Sequence, residues 1–210
     1  VVNYCYDKII PLVYASSSAV YGDLSYGDDE KNETNLSSPY AVDKYAMELY
    51  SKVMSNINRF SNIGLRFFNV YGPRQDPSSP YSGVISIFAS RILKKNKILI
   101  NGGHQTRDFI FVKDIANFIL KALILSQSRY ISTNVNLLTG NSVSIENLAE
   151  KIMIKTGNFV EKIYNPLPVG DPKISTGSTK NMEKLFNIKT SELISLDKGL
   201  NETLKFIKKS

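Results

Sequence analysis

Leu12-Val13-Tyr14-Ala15-Ser16-Ser17-Ser18-Ala19-Val20-Tyr21-Gly22 runs a short apolar stretch straight into serines. After a polar interval comes Ser37-Ser38-Pro39-Tyr40-Ala41-Val42-Asp43-Lys44. Residues 11–15 read as a buried strand. Ser38 offers a cap and Pro39 an N-terminal proline, which predicts a helix from there to about residue 57. Residues 63–68 are the next apolar run. Strand, helix, strand at this spacing is the right-handed crossover unit of a parallel sheet, and it sets the class as α/β.

Tyr40 and Lys44 stand four residues apart on that helix, so phenol and ammonium share one face, a turn apart. A nearby ammonium favours the phenolate, and the tyrosine can then act as a base. Ser17, at the end of the preceding strand, is placed to pass a proton to it. Together these groups are equipment for moving a proton on and off a carbinol oxygen. Plainer readings stand beside this one. Ser16 and Ser18 suit backbone satisfaction at a strand end, and Phe67 and Phe68 on a strand suit a core.

Further along, residues 23–36 and 69–82 read as loops, the second rich in Pro, Gly and Ser. A helix to about residue 95, a strand at 98–101 and a turn at Gly102-Gly103 follow. Residues 109–112 read as extended, and Asp114 begins an apolar helix. Residues 134–138 read as a strand, and Ser144 caps a helix ending at Gly157. Pro166, Pro168 and Pro172 precede helices near 180–186 and 196–208.

The 210 residues are 42% hydrophobic, which predicts a globular chain with a real core. The net charge of +7 raises nucleic acid as a partner. The lysines are dispersed, however, and no basic stripe alternates with aromatics, so solvated lysines and no nucleic-acid partner are expected. One cysteine, Cys5, excludes an internal disulfide and points to the reducing cytoplasm. No stretch reads as a membrane span or a signal peptide. His104 sits in a polar turn without partners for a metal, and none is expected.

Five blocks in order carry a resemblance: the opening serine stretch, Ser38 through Lys44, Leu65-Arg66-Phe67-Phe68-Asn69-Val70-Tyr71-Gly72-Pro73-Arg74-Gln75-Asp76-Pro77, Gln105-Thr106-Arg107-Asp108-Phe109, and Gly170-Asp171. The chain resembles the extended short-chain dehydrogenase/reductases, specifically the nucleotide-sugar 4-epimerases acting on UDP-glucose or UDP-N-acetylglucosamine. The resemblance implies NAD as cofactor, a UDP-sugar as substrate, and a 4-keto intermediate. It also implies the C-terminal part of a Rossmann-type doubly wound parallel sheet with a smaller α+β substrate-binding domain. Residues 1–70 would then be what remains of the NAD-binding domain, and 71–210 mainly the substrate region, with about 107–140 returning to the sheet.

Roles carry over by position. Tyr40 would take the proton of the sugar 4-hydroxyl, Lys44 would hold the nicotinamide ribose, and Ser17 would bridge the 4-oxygen to Tyr40. Ser16, Phe67 and Phe68 would border the cofactor. Ser18, Asn69 and Val84 would line the substrate, and Arg107 would grip its diphosphate with charge-assisted bonds. Leu99 and Asn101 lie where the backbone meets uracil, Asp171 where the uridine ribose sits, and Ser175 beside the sugar C2. A small residue at that last position admits N-acetyl sugars. UDP-glucuronate also stays open. Related dehydratases need an Asp-Glu pair where this chain has Ser18 and Ala19, which favours epimerisation.

Two departures accompany the match. Pro168 stands where many relatives carry a second diphosphate-clamping arginine, a loss worth about 1.5–3 kcal/mol unless Lys173 substitutes. Nowhere does the sequence hold the Gly-x-x-Gly-x-x-Gly motif whose amides cradle a dinucleotide pyrophosphate. It reads as starting in the helix before the catalytic strand, without the first strands of the sheet. Strand 11–15 is then expected to expose an apolar edge, and the chain alone to bind NAD poorly and turn over little. Three readings follow: a 4-epimerase of which this is the C-terminal part, a non-catalytic UDP-sugar-binding remnant, or a subunit needing a separate N-terminal half. A homodimer through the 39–57 helix is the further partner expected.

Overall fold

The computed structural model describes residues 1–31, 33–79 and 82–209. Residues 32 and 80–81, within the two expected loops, and 210, at the end of the expected second region, lie outside the described residues. A first helix α1 (Val2–Asp7) leads into β1 (Leu12–Ser17), a 3-10 turn (Ser18–Tyr21), α2 (Pro39–Asn58) and β2 (Asn62–Phe67). The predicted crossover is present. Ser38 Oγ accepts from the Ala41 amide, Pro39 opens the helix, and Arg59 closes it in the left-handed region. Then come β3 (Asn69–Tyr71), α3 (Val84–Leu93), β4 (Ile98–Asn101), β5 (Thr106–Phe111), α4 (Val112–Ser128) and β6 (Ser132–Leu137). The chain continues through β7 (Ser142–Ser144), α5 (Ile145–Thr156), β8 (Lys162–Asn165), β9 (Ile174–Ser175), α6 (Lys180–Phe186) and α7 (Leu196–Ile207).

Strands β1, β2 and β6 form a parallel sheet in the order β1-β2-β6, with Ala15 opposite Leu65 and Leu65 opposite Val135. Among the described residues β1 is an edge. Alternation along the strands divides the sheet's two faces by chemistry. One face presents Val13, Ile63, Leu65, Val135 and Leu137 to α4 and α6, where Ile115, Phe118, Ala122, Met182 and Phe186 complete an apolar core. Met182 and Phe186 carry the sheet's packing partners beyond the expected 107–140 return. The other face presents Tyr14, Ser16, Asn62, Arg66 and Asn134, and α2 covers it. Gly64 is required there. A Cβ on it would lie 2.6 Å from Tyr14 Oη and 2.1 Å from Asn134 Oδ1, in the middle of their hydrogen bond.

Helix α2 is therefore built inside out. It buries Ala41, Glu48, Ser51 and Ser55 and exposes Val42, Leu49, Tyr50, Val53 and Ile57. A second core gathers Ile85, Phe88 and Ile92 of α3, Ile98 and Ile100 of β4, Leu148 and Ile152 of α5, and Leu200 and Leu204 of α7 around Tyr71, Phe109 and Phe111. Strand β5 pairs in parallel with β3 and β9 and antiparallel with β7, while β4 pairs with β8.

Four short strands, β3, β7, β8 and β9, are not expected from sequence: β3 falls in the expected 69–82 loop and the others where no strand is read. Each has two to four residues and exists because a partner strand lies beside it. Strand β5 starts at Thr106 rather than 109 for the same reason, since Thr106 and Arg107 pair with Ile174 and Ser175. Helix α4 starts at Val112, and Asp114 lies inside its first turn, where its carboxylate accepts from the Ile194 amide at 3.0 Å.

Candidate active site

The serine run ends β1 by turning. Ser17 Oγ accepts from the Ala19 amide at 3.1 Å and starts the 3-10 turn, and Gly22 closes it at φ +56°. Tyr21, now buried, donates to Asn136 Oδ1 at 2.8 Å and stacks tilted on Phe68. Burial pushes the Tyr21 hydroxyl up to about 12, with Arg66 pulling it back down.

Tyr40 lies in the first turn of α2 and is 54% exposed. Lys44 is one turn on. Its Nζ donates to the Ala15 carbonyl at 2.9 Å and sits 5.6 Å from the centre of the Tyr40 ring. The ammonium thus ties the helix face to the strand that carries Ser17. Beneath it, Arg66 and Glu48 form a bidentate ion pair, Nε to Oε1 at 2.8 Å and Nη2 to Oε2 at 2.6 Å. Ser16 Oγ donates to Glu48 Oε1, Asn134 Nδ2 donates to Oε2 at 3.1 Å, and Arg66 Nη1 donates to Tyr21 Oη at 2.8 Å. The hydroxyl of Ser16, expected beside the cofactor, is therefore spent on a buried carboxylate.

At the other end, Arg107 is held by two acceptors. Its Nη1 donates to the Thr106 carbonyl at 2.9 Å and its Nη2 to the Asp171 carboxylate at 2.5 Å. Asn69 Nδ2 donates to the Asp108 carbonyl at 2.9 Å and approaches Ser175 Oγ at 3.4 Å. The Asp108 side chain points inward and binds the Thr139 amide at 2.8 Å and hydroxyl at 2.9 Å. Its Oδ2 has no hydrogen-bond partner among the described residues, and burial holds the carboxyl above the ordinary range. The strap carrying Asp171 and Ser175 is fastened across the cleft by a bridge between Gly27 and Gly177. There Gly27 donates to the Thr176 carbonyl at 2.9 Å and accepts from Ser178 at 2.9 Å. A Cβ on Gly177 would lie 2.5 Å from the Gly27 oxygen.

Three adjoining hollows result. One of about 370 Å³ is lined by Ser16, Ser17, Tyr40, Lys44, Phe67, Phe68, Asn69 and Val84. One of about 280 Å³ is lined by Ser17, Ser18, Phe67, Phe68, Asn69, Arg107, Asp171 and Ser175. The third, about 320 Å³, is lined by Asn69, Val84, Leu99, Asn101, Arg107 and Asp171. Asn69 borders all three, and every residue given a catalytic, cofactor-binding or substrate-binding role from sequence borders at least one. Lys173, the candidate substitute for a second clamping arginine, lines none of them. The cleft lies at the carboxyl ends of β1 and β2, where open α/β sheets hold their ligands. A larger hollow of about 990 Å³ opens at the opposite ends of these strands, among Ile10, Pro11, Arg59 and Tyr130, away from the site residues. His104 is exposed in its turn, and among the described residues no group of three or more His, Cys, Asp or Glu side chains is placed to hold a metal. No described helix is long and apolar enough to cross a membrane.

Residues 1–137 match the sequence profile of the NAD dependent epimerase/dehydratase family. The chain belongs to that family. A protein of Methanocaldococcus jannaschii, provisionally named a UDP-glucose 4-epimerase, is 41% identical over 166 residues, which is 78% of this chain and 52% of that protein. The chain thus spans about half the length of this curated relative. A UDP-N-acetylglucosamine 4-epimerase from Methanobrevibacter ruminantium, solved with UDP-N-acetylmuramic acid, superposes with a TM-score of 0.87 at 35% identity, over 98% of this chain and 65% of its own. The UDP-glucose 4-epimerase of Thermus thermophilus, solved with NAD, gives 0.85 at 28% identity, over 99% and 67%. The α/β fold with its parallel sheet is the fold of these family members.

Sequence reasoning missed Glu48, Tyr21, Asn134 and Asn136. The one signal that points to them is Arg66, a charge in the middle of an otherwise apolar strand, which demands a buried partner.

Proposed function

We propose that this chain supplies the proton-transfer and nucleotide-binding parts of an NAD-dependent UDP-sugar 4-epimerase. The observation that carries the reading is the set of three adjoining hollows, with Ser17, Tyr40 and Lys44 at one end, Arg107 and Asp171 at the other, and Asn69 on all three. The donor set fits the nicotinamide-ribose end of a dinucleotide: an ammonium, a phenol and a serine hydroxyl beside the apolar Phe67 and Val70. When bound, NAD supplies the hydride acceptor that lets a carbinol carbon open and reclose.

The chain's own residues do the rest. Tyr40 accepts the proton of the sugar 4-hydroxyl and returns it once the ketone has turned over in the pocket. Ser17 has one lone pair engaged by the Ala19 amide, so its hydrogen is free to steady the 4-oxygen. Lys44 commits one N–H to Ala15 and keeps two for ribose hydroxyls. Arg107 neutralises the diphosphate and Asp171 addresses the ribose. Small Ser175, beside Ser18 and Thr176, leaves room at the sugar C2, which supports an N-acetylhexosamine as well as a hexose. In a Ser175→Tyr variant, N-acetyl turnover is expected to fall while hexose turnover survives. Equal activity on both would refute the gate.

Because the sequence holds no glycine motif for the pyrophosphate, turnover is expected only when a segment carrying one is supplied. The test is purified chain with UDP-GlcNAc and NAD, scored for UDP-GalNAc, with and without such a segment. Product in its presence alone supports the reading. UDP binding with no product in either arm leaves a non-catalytic UDP-sugar-binding protein, and failure to bind UDP overturns both. The apolar outer face of α2 supports a second copy of the chain as the partner that covers it.

A further inference from the structure

Glu48 and Arg66 are 2% and 1% exposed, and the polar layer around them joins every element that carries a proton-transfer residue. Ser16, bonded to Glu48, is the residue before Ser17. Arg66 is the residue before Phe67. Glu48 itself lies one turn beyond Lys44 and two beyond Tyr40 on the same face of α2. Stability does not call for this arrangement. A buried ion pair is often replaced by apolar residues at no loss, and α2 carries Leu49 and Val53 but turns them outward. What a fork-on-carboxylate pair provides is direction. Apolar contact is non-directional and lets a helix slide or roll on a sheet, whereas two parallel N–H···O bonds fix both its height and its rotation.

We propose that Glu48 and Arg66 are positioning residues: their ion pair sets the seat of α2 on the sheet, and with it the placement of Tyr40 and Lys44 against Ser17. The effect on rate rests on the proton-transfer reading of the cleft, while the effect on geometry does not. One variant for the test removes both charges, Glu48→Leu with Arg66→Met, so that no orphan ion is buried. The second, Ser16→Ala, deletes only the strand's bond to Glu48.

The geometric readout is proton NMR cross-relaxation between the Lys44 ε-methylene on α2 and the β1 protons around Ala15, which reports the contact of Nζ with the Ala15 carbonyl at 2.9 Å across the helix–sheet seam. In the folded double variant that cross-relaxation is expected to collapse. Where turnover is measurable, kcat is expected to fall by roughly 100-fold, as for a displacement of about 1 Å, with KM for the UDP-sugar little changed. If the double variant does not fold, Ser16→Ala decides, with a smaller loss of the same signal in a protein that still folds. A folded variant that keeps the Lys44-to-β1 cross-relaxation, and keeps kcat where it can be measured, overturns the proposal and leaves the pair a packing feature. Absence of turnover in the unmutated protein would count against the epimerase reading, and the NMR signal would still decide this one.

Discussion

Arg107 faces two hollows of the cleft while its guanidinium is held on Thr106 and Asp171. A clamp so pre-oriented loses little rotamer freedom when an anion arrives. Replacing it by alanine is expected to weaken UDP binding by about 1.5–3 kcal/mol, roughly 10- to 150-fold in Kd by titration calorimetry. Tyr40→Phe is expected to leave that Kd unchanged and to lower epimerisation by roughly 10²- to 10⁴-fold, the usual worth of a positioned base. Asp108 allows a pH prediction. Burial raises its carboxyl, so the folded state holds the proton more tightly than the unfolded chain does. Its contribution to stability is fully present below the ordinary value of about 3.9 and is lost as pH rises through the raised one. Asp108→Asn keeps Oδ1 for Thr139 and removes the charge, so it is expected to melt higher at pH 7, with the gain vanishing towards pH 4. At this scale the Tyr40–Lys44 pair was readable from type and spacing, whereas Arg107 came only through the family resemblance. Glu48 was silent, since a helix carboxylate ordinarily faces water, and nothing local shows that Arg66 lies above it.

Helix α2 shows why element chemistry decides what survives mutation. Its sheet-facing side is polar, so single changes there strand a partner. Glu48→Ala leaves the Arg66 guanidinium buried without its counter-ion, and is expected to cost about 3–5 kcal/mol in urea unfolding. The paired apolar replacement buries no orphan charge and strands only the neutral donors of Ser16 and Asn134, so it is expected to cost less. Capping and crossover spacing made β1, α2 and β2 legible, as did the Ser144 cap and the Gly157 stop of α5. Strands β3, β7, β8 and β9 were not, because two to four residues carry no period of their own. Their existence is decided by β5 and β4, elements distant in sequence.

For the whole molecule, the outward face of α2 is an apolar surface turned to solvent. Val42, Leu49, Tyr50, Val53 and Ile57 recur at helical spacing in water, and a second copy would cover them. Val53→Glu is expected to turn a dimer into a monomer by sedimentation without lowering UDP affinity, and a monomeric unmutated chain would refute that partner. The Gly27–Gly177 bridge has a different consequence, one of sequence in time. It closes a loop of 150 residues (177 − 27) with two backbone bonds, packed against the rings of Tyr21 and Phe68. Loop closure over that span comes after the local crossover has formed. The strap that completes the nucleotide end is thus expected to assemble after the crossover unit, and its amides to exchange with solvent ahead of those in β2.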